Sequence, residues 1–289
     1  MISNGFGFVE VSDLGKYLGV PVLHRWVTTA SYQYLIRSVE QKLSGWKART
    51  PLLAGRIVLA KSALAAIPTY TLQTAVLLES TCLAIERIIH RFIWGSTSSR
   101  GGIHLVKWQD VCKPISDGGL GFRKIDKLNN IFLIKLAFHI ITKRESLWVR
   151  FIRTKYKCDQ GVPLELCNFT CSRLWKGLSI VWNDVRSTLI YSIGSSTDTD
   201  FWFDLWIVDI GPLVEHVNTE YISSIQHMSV ASMAASNGDW RWQEFDHLLP
   251  LDVILRIARI KTLDNRLSSD TIGWRGDKNI IFSVKFAYN

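Results

Sequence analysis

From Ser31 to Lys157 apolar residues return at helical spacing in one segment after another, with only short extended pieces between them, and this limits the fold more than any other feature. Tyr32, Leu35, Ile36, Val39, Leu43 and Trp46 share one face, with Arg37, Glu40, Gln41 and Lys42 opposite. Ile57, Leu59, Ala60, Ala63, Leu64 and Ile67 mark a second helix, which Pro68 closes. Cys82, Ile85, Ile88, Ile89, Phe92 and Ile93 mark a third, ending near Gly95. Leu128, Ile131, Phe132, Leu136, His139 and Ile140 form a helix apolar over most of its circumference, a central position. Leu147, Trp148, Phe151 and Ile152 give another, whose polar side runs through Arg150, Arg153, Lys155 and Lys157. The predicted class is mainly α.

Strands are expected at the two ends. Phe6 to Val11 and Lys16 to Val22 read as an N-terminal hairpin joined at Ser12-Asp13. After Gln160 comes a smaller α+β region with short hairpins. A helix carries Leu174, Trp175, Leu178, Val181, Trp182, Val185 and Leu189, and a hairpin over residues 192–207 sets Trp202 and Trp206 on the face opposite Phe201, Phe203 and Leu205. A helix spans Asp252 to Arg259, and a final strand pair runs from Asp270 to Trp274 and from Ile280 to Phe286. The domain division read from this is 1–30, a hairpin; 31–160, a basic helical array; and 161–289, the mixed region.

Charge follows the same division. Through Gln160, Lys and Arg outnumber Asp and Glu 23 to 10, whereas from Gly161 onward they stand 11 to 15. The split points to a first part that faces a polyanion and a second part of another kind; the competing reading is a basic protein with an accidental gradient of charge. At Gly55-Arg56 a turn at a helix start would place a guanidinium beside backbone N–H groups, a means of holding phosphate. The competing reading makes Arg56 and Lys61 the solvated edge of a core helix. Trp46, on the apolar stripe, either caps the core or stacks on a base.

Several chemistries find no support. Cys82, Cys112, Cys158, Cys167 and Cys171 are odd in number and form no CxxC pair, which argues against a disulfide framework and a zinc finger and fits a reducing, intracellular compartment, nuclear or cytoplasmic. The N-terminus lacks a signal-peptide pattern, and charges and Pro68 interrupt the most apolar windows, so neither secretion nor a membrane is expected. There is no Asp-Asp pair, GxSxG, HExxH or P-loop. Asp198, Asp200, Asp204 and Asp209 read as solvated loop charges, and Asp117 to Phe122 as a glycine-rich turn made for backbone geometry. No catalytic residue, metal or cofactor is expected.

Lys16-Tyr-Leu-Gly-Val-Pro21, Leu43-Ser-Gly-Trp-Lys47, Ala54-Gly-Arg56 to Lys61, Ile67-Pro-Thr-Tyr70, Arg91-Phe-Ile-Trp94, Leu105-Val-Lys-Trp108, Gly118-Gly-Leu-Gly121 and Leu147-Trp148 to Lys155-Tyr156 come in an order that resembles the reverse transcriptase-like proteins of plant non-LTR (LINE-type) retrotransposons, often labelled ribonuclease H proteins. Trp274 to Tyr288 resembles the start of the zinc-binding segment that ends such polyproteins. The resemblance implies a fragment lying after the polymerase palm, inactive alone, with Tyr17, Leu18 and Gly19 in the primer-grip position and a thumb-like array following. It implies an RNA–DNA hybrid or duplex as partner, gripped by its backbone without base reading. The expected phosphate contacts are Lys42, Lys47, Arg49, Arg56 and Lys61, followed by Arg91, Lys107, Arg123 and Lys124. The alternative is a helical protein-interaction scaffold with no nucleic-acid role, which would expose a large apolar patch.

Overall fold

Helices dominate, as their spacing requires, and the computed structural model is mainly α. It describes residues 16–17, 20–21, 29–47, 52–65, 69–95, 104–158, 161–166, 171–194, 197, 199–235, 238–260, 270–275, 282 and 284. Two compact units divide the chain, Met1–Asn130 and Ile131–Asn289.

In the first unit, β1 (Lys16–Tyr17) pairs antiparallel with β2 (Val20–Pro21), Tyr17 opposite Val20. The pairing closes inside the segment that was expected to be a single strand; Phe6 to Val11 lies outside the described residues. A 3-10 turn, Thr29–Tyr32, leads into α1 (Gln33–Lys47), which buries Tyr32, Leu35, Ile36, Val39 and Leu43, the stripe that periodicity marks. It packs against α2 (Leu53–Ala65) and, past the short α3 (Thr69–Thr74), against α4 (Glu79–Ile93); α2 and α4 also touch. α4 buries Cys82, Ile85, Ile89, Phe92 and Ile93. After the single turn α5 (Trp108–Val111), the glycine-rich segment does the backbone work expected of it. Gly118 (φ 79°) and Gly121 (φ 65°) are left-handed, and Gly119 lies so close to the Lys113 carbonyl that a Cβ there would collide.

α6 (Ile125–Thr142) is tied into this unit at its start by two buried polar side chains. Glu86 on α4 accepts the Ile125 N–H at 2.9 Å, a carboxylate at the positive end of a helix. One turn on, the Asn129 carboxamide accepts from the Leu77 N–H (3.0 Å) and donates to the carbonyls of Leu72 (2.7 Å) and Ala75 (2.9 Å). It thereby satisfies three backbone groups where the chain leaves α3 for α4, groups that neither helix can pair.

In the second unit, α7 (Leu147–Lys155) and α8 (Arg173–Thr188) precede β3 (Leu189–Ser192), with Ser172 capping α8 through the Trp175 N–H. β3 pairs antiparallel with β4 (Thr271–Trp274), Leu189 opposite Trp274. This replaces the hairpin expected over 192–207. Phe201, Trp202 and Trp206 are all buried, so both faces of the supposed alternation are core, and Phe201 meets the rings of Trp202, Trp206, Trp240 and Phe245 at 4.8–6.2 Å. α9 (Val230–Met233) is one turn long, while α10 (Leu251–Ala258) matches the helix expected over Asp252 to Arg259 and buries Val253 and Ile257.

α7 reverses the sidedness that its sequence suggests. Arg153 is buried, donating to the carbonyls of Ile140 (3.5 Å) and Gly161 (3.0 Å), and Leu147, Trp148 and Phe151 face outward. Periodicity separates two faces but does not say which is inside. A guanidinium can be the inner one when carbonyls meet it.

Replacing Asn129 with Leu, similar in volume, strips three backbone groups of their partner and is expected to cost about 3 kcal/mol. Denaturant unfolding of wild type and variant measures this; a midpoint that does not move would remove Asn129 from its anchoring role.

Candidate nucleic-acid interface

A phosphate is held well by a cation that a rigid helix presents to solvent, so exposure and competing partners decide each candidate. Lys42 on α1, Lys61 on α2 and Arg91 on α4 are exposed, as are Lys107 just before α5 and Arg123 just before α6; Lys124 is half-buried. Among the described residues, Lys42, Lys61, Arg91 and Lys107 form no salt bridge. Lys61 Nζ stands 5.6 Å from the centre of the Phe122 ring, which brings α2 beside the segment carrying Arg123 and Lys124. Arg91 Nε also reaches the Arg87 carbonyl at 3.4 Å.

Arg56 has a different setting. Its Nη1 donates to the Ile93 carbonyl (3.3 Å), and the guanidinium lies directly against Gly95, whose φ of 68° ends α4. It thus covers the negative end of a helix, a role that neither sequence reading foresaw. The turn expected at Gly55-Arg56 is already helix: α2 starts at Leu53, and the Arg56 N–H donates to the Leu52 carbonyl at 3.1 Å. Lys47 ends α1 with its side chain outside the described residues, as are Arg49, Leu18 and Gly19 altogether; Tyr17 lies in β1. The side chain of Trp46 is likewise outside them.

Beside Arg91 and Lys107 lies a histidine pair that the sequence reading missed. His90 Nε2 is 3.0 Å from the Val106 carbonyl, which only accepts, so this nitrogen carries the proton. His90 Nδ1 is therefore the acceptor in neutral imidazole and takes the proton of His104 Nδ1 at 3.0 Å. Burial, then the Val106 carbonyl pulling the other way and the nearby His104, leave the His90 pKa below its ordinary value. The Trp108 ring closes the cluster, 5.5 Å from His90 and 5.6 Å from Phe122. Together these contacts hold the His104–Lys107 segment against α4. The two histidines are 14 residues apart, and no local pattern links them.

The buried carboxylate of Glu86 sits under the same surface. Burial raises its pKa, opposed by the Ile125 N–H, and the Trp108 indole approaches it without meeting full hydrogen-bond geometry. The thiols of Cys82 and Cys112, desolvated and near this carboxylate, are pushed up to about 12, so they are inert rather than nucleophilic. Among the described residues no group of three or more His, Cys, Asp or Glu side chains could hold a metal ion, and no helix is long and apolar enough to cross a membrane.

In the second unit, the reading of the aspartates as solvated needs correction. Asp209 is exposed and Asp198 lies outside the described residues, but Asp204 is only 8% exposed and accepts the Asp200 N–H at 2.8 Å. Asp200 accepts from the Trp202 and Phe203 N–H groups and meets His227 Nδ1 at 2.7 Å. With Arg144 and Arg186 they line a cleft of about 870 Å³. Desolvation, opposed by the Asp200 N–H and the Tyr191 hydroxyl, raises the Asp204 pKa to about 6.

A carboxyl raised in the folded state adds stability below its ordinary pKa and loses it as pH rises through about 6. Asp204→Asn keeps an acceptor without the charge, so its melting temperature relative to wild type should rise between pH 5 and 8. Thermal melts across that range test this, and a constant difference would contradict it.

Two Arabidopsis thaliana proteins are similar to the chain. "Putative ribonuclease H protein At1g65750" is 27% identical over 272 residues, 93% of this chain and 44% of that protein. "Uncharacterized mitochondrial protein AtMg00310" is 30% identical over 149 residues, 51% of this chain and 97% of that protein. The chain thus spans less than half the length of the first relative. No family model and no solved structure matches it.

Proposed function

Since the chain belongs to the plant retrotransposon-related family of these two Arabidopsis proteins, we propose that it is a segment of a retrotransposon reverse transcriptase product that holds nucleic acid without doing chemistry on it. In this reading residues 31–160 act as a thumb-like element on an RNA–DNA hybrid or duplex in the nucleus or cytoplasm, residues 1–30 lie at the primer grip, and residues 161–289 connect towards the zinc-binding segment. The observation that carries it is the set of exposed cations Lys42, Lys61, Arg91 and Lys107, free of salt bridges among the described residues and borne on rigid helices or at their starts. The placement of Lys61 beside Arg123 and Lys124 adds local charge density. Contacts of this kind address phosphates and carry no base information, as a thumb requires.

The scaffold reading draws on Leu52, Val58, Leu105 and Ile115, each more than 60% exposed. Leu52 and Val58 lie at the start and on the body of α2, while Leu105 and Ile115 stand apart from them, and scattered exposed apolar residues are ordinary on protein surfaces; grouped apolar exposure is found on α7, where Leu147, Trp148 and Phe151 lie together.

Filter binding of the full chain to an RNA–DNA hybrid over a range of salt tests the proposal. The logarithm of the affinity should fall linearly with that of salt, by about 0.9 for each phosphate neutralised, and Lys61→Ala and Arg91→Ala should each flatten the slope by about one unit. Binding that ignores salt, or no binding at all, would overturn it.

A further inference from the structure

The helix that is turned inside out, α7, offers a second surface. Its inner side is Val149, fully buried, and Arg153, whose guanidinium is taken up by the Ile140 and Gly161 carbonyls. Its outer side carries Leu147 (82% exposed), Phe151 (68%) and Trp148 (40%). Residues three and four apart share a helix face, so Phe151 stands between Leu147 and Trp148 one turn before it and Lys155 one turn after. Arg150 is exposed at the edge of the same face, and the helix, LWVRFIRTK, contains no acidic residue; Glu145 lies just before its start. Lys155 is steadied by Tyr156, its Nζ 5.4 Å from the ring centre, and Tyr156 stacks on Trp175 at 4.0 Å and 13°.

Three large apolar side chains left together in water mark a surface meant to be covered. A second copy of the helix would set Arg150 and Lys155 against themselves. A strand of unpaired nucleotides satisfies both features at once, because every base has a face to stack on an aromatic ring and every phosphate a charge for the cations.

We infer that Trp148 and Phe151 form a stacking platform for unpaired bases of single-stranded RNA or DNA, with Arg150 and Lys155 on the adjoining phosphates. The inference builds on the nucleic-acid reading above but names a different ligand, bases rather than a duplex backbone.

Fluorescence anisotropy with oligo-uridine, an abasic strand of equal length and an RNA–DNA hybrid tests it on the full chain. Phe151→Ala should weaken oligo-uridine binding about tenfold, the size of one lost base stack, with no change on the abasic strand or the hybrid; Phe151→Trp should restore it. Phe151 is exposed, and a matching thermal melt excludes misfolding. Equal oligo-uridine affinity in wild type and Phe151→Ala, or an equal loss on the abasic strand, would overturn the platform and leave the face to a protein partner. That result with salt-sensitive hybrid binding intact would spare the duplex reading. Base-dependent binding without a salt response on the hybrid would sink the duplex reading alone, and binding to none of the strands would sink both.

Discussion

The Asn129 carboxamide fills a gap that helices leave by construction. Where α3 stops and α4 begins, backbone groups lose their helical partners, and here they are buried, away from water. One side chain from α6 meets three of them, and Glu86 from α4 closes the other way by taking the Ile125 N–H. Buried polar groups are costly unless fully paired, and when paired they admit one arrangement only. That arrangement sets the start of α6, and with it Phe122, Arg123 and Lys124, and hence the partner over which Lys61 lies. The Lys61–Phe122 corner of the candidate interface thus depends on an uncharged amide.

What the sequence made legible is what local periodicity can encode. The stripe from Tyr32 to Leu43, the buried line of α4 and the face of α8 all stand where spacing sets them, because a helix's inner face is a property of neighbours three and four apart. The pairing of β3 with β4 was beyond reach, since Leu189 and Trp274 meet across a distance that no local signal spans. α7 failed for another reason: both of its faces contain apolar residues, and the deciding fact, carbonyls waiting for Arg153, belongs to other segments. Asp204 is the same case in carboxylate form, buried because the Asp200 N–H and the Tyr191 hydroxyl receive it.

The candidate site was legible as a list of cations and illegible as a surface. Lys42, Lys61 and Arg91 fall on solvent-facing positions, as helical phase requires. Arg56 could not be assigned from phase, because its partner is the end of a helix nearly forty residues on, and His90 joins His104 and Val106 only through the fold.

A common chemistry separates the basic residues that serve the fold from those left in solvent. Arg56, half-buried, and Arg153, buried, turn to backbone carbonyls, that of Ile93 for the first and those of Ile140 and Gly161 for the second, which a planar, weakly hydrated guanidinium meets well. Lys42, Lys61 and Lys107 remain outside, since an ammonium on a flexible stem gives up its water reluctantly. Part of the arginine in this basic first part is thereby withdrawn from the surface, and lysine makes up much of what remains. Lysine meets a phosphate as a point charge, without the fork geometry that fixes orientation. Such a surface is suited to the density of negative charge on a polyanion far better than to a sequence of bases, which is what the proposed function asks of it. Under the proposed function, discrimination between kinds of strand would fall to exposed rings such as Trp148 and Phe151 rather than to these cations.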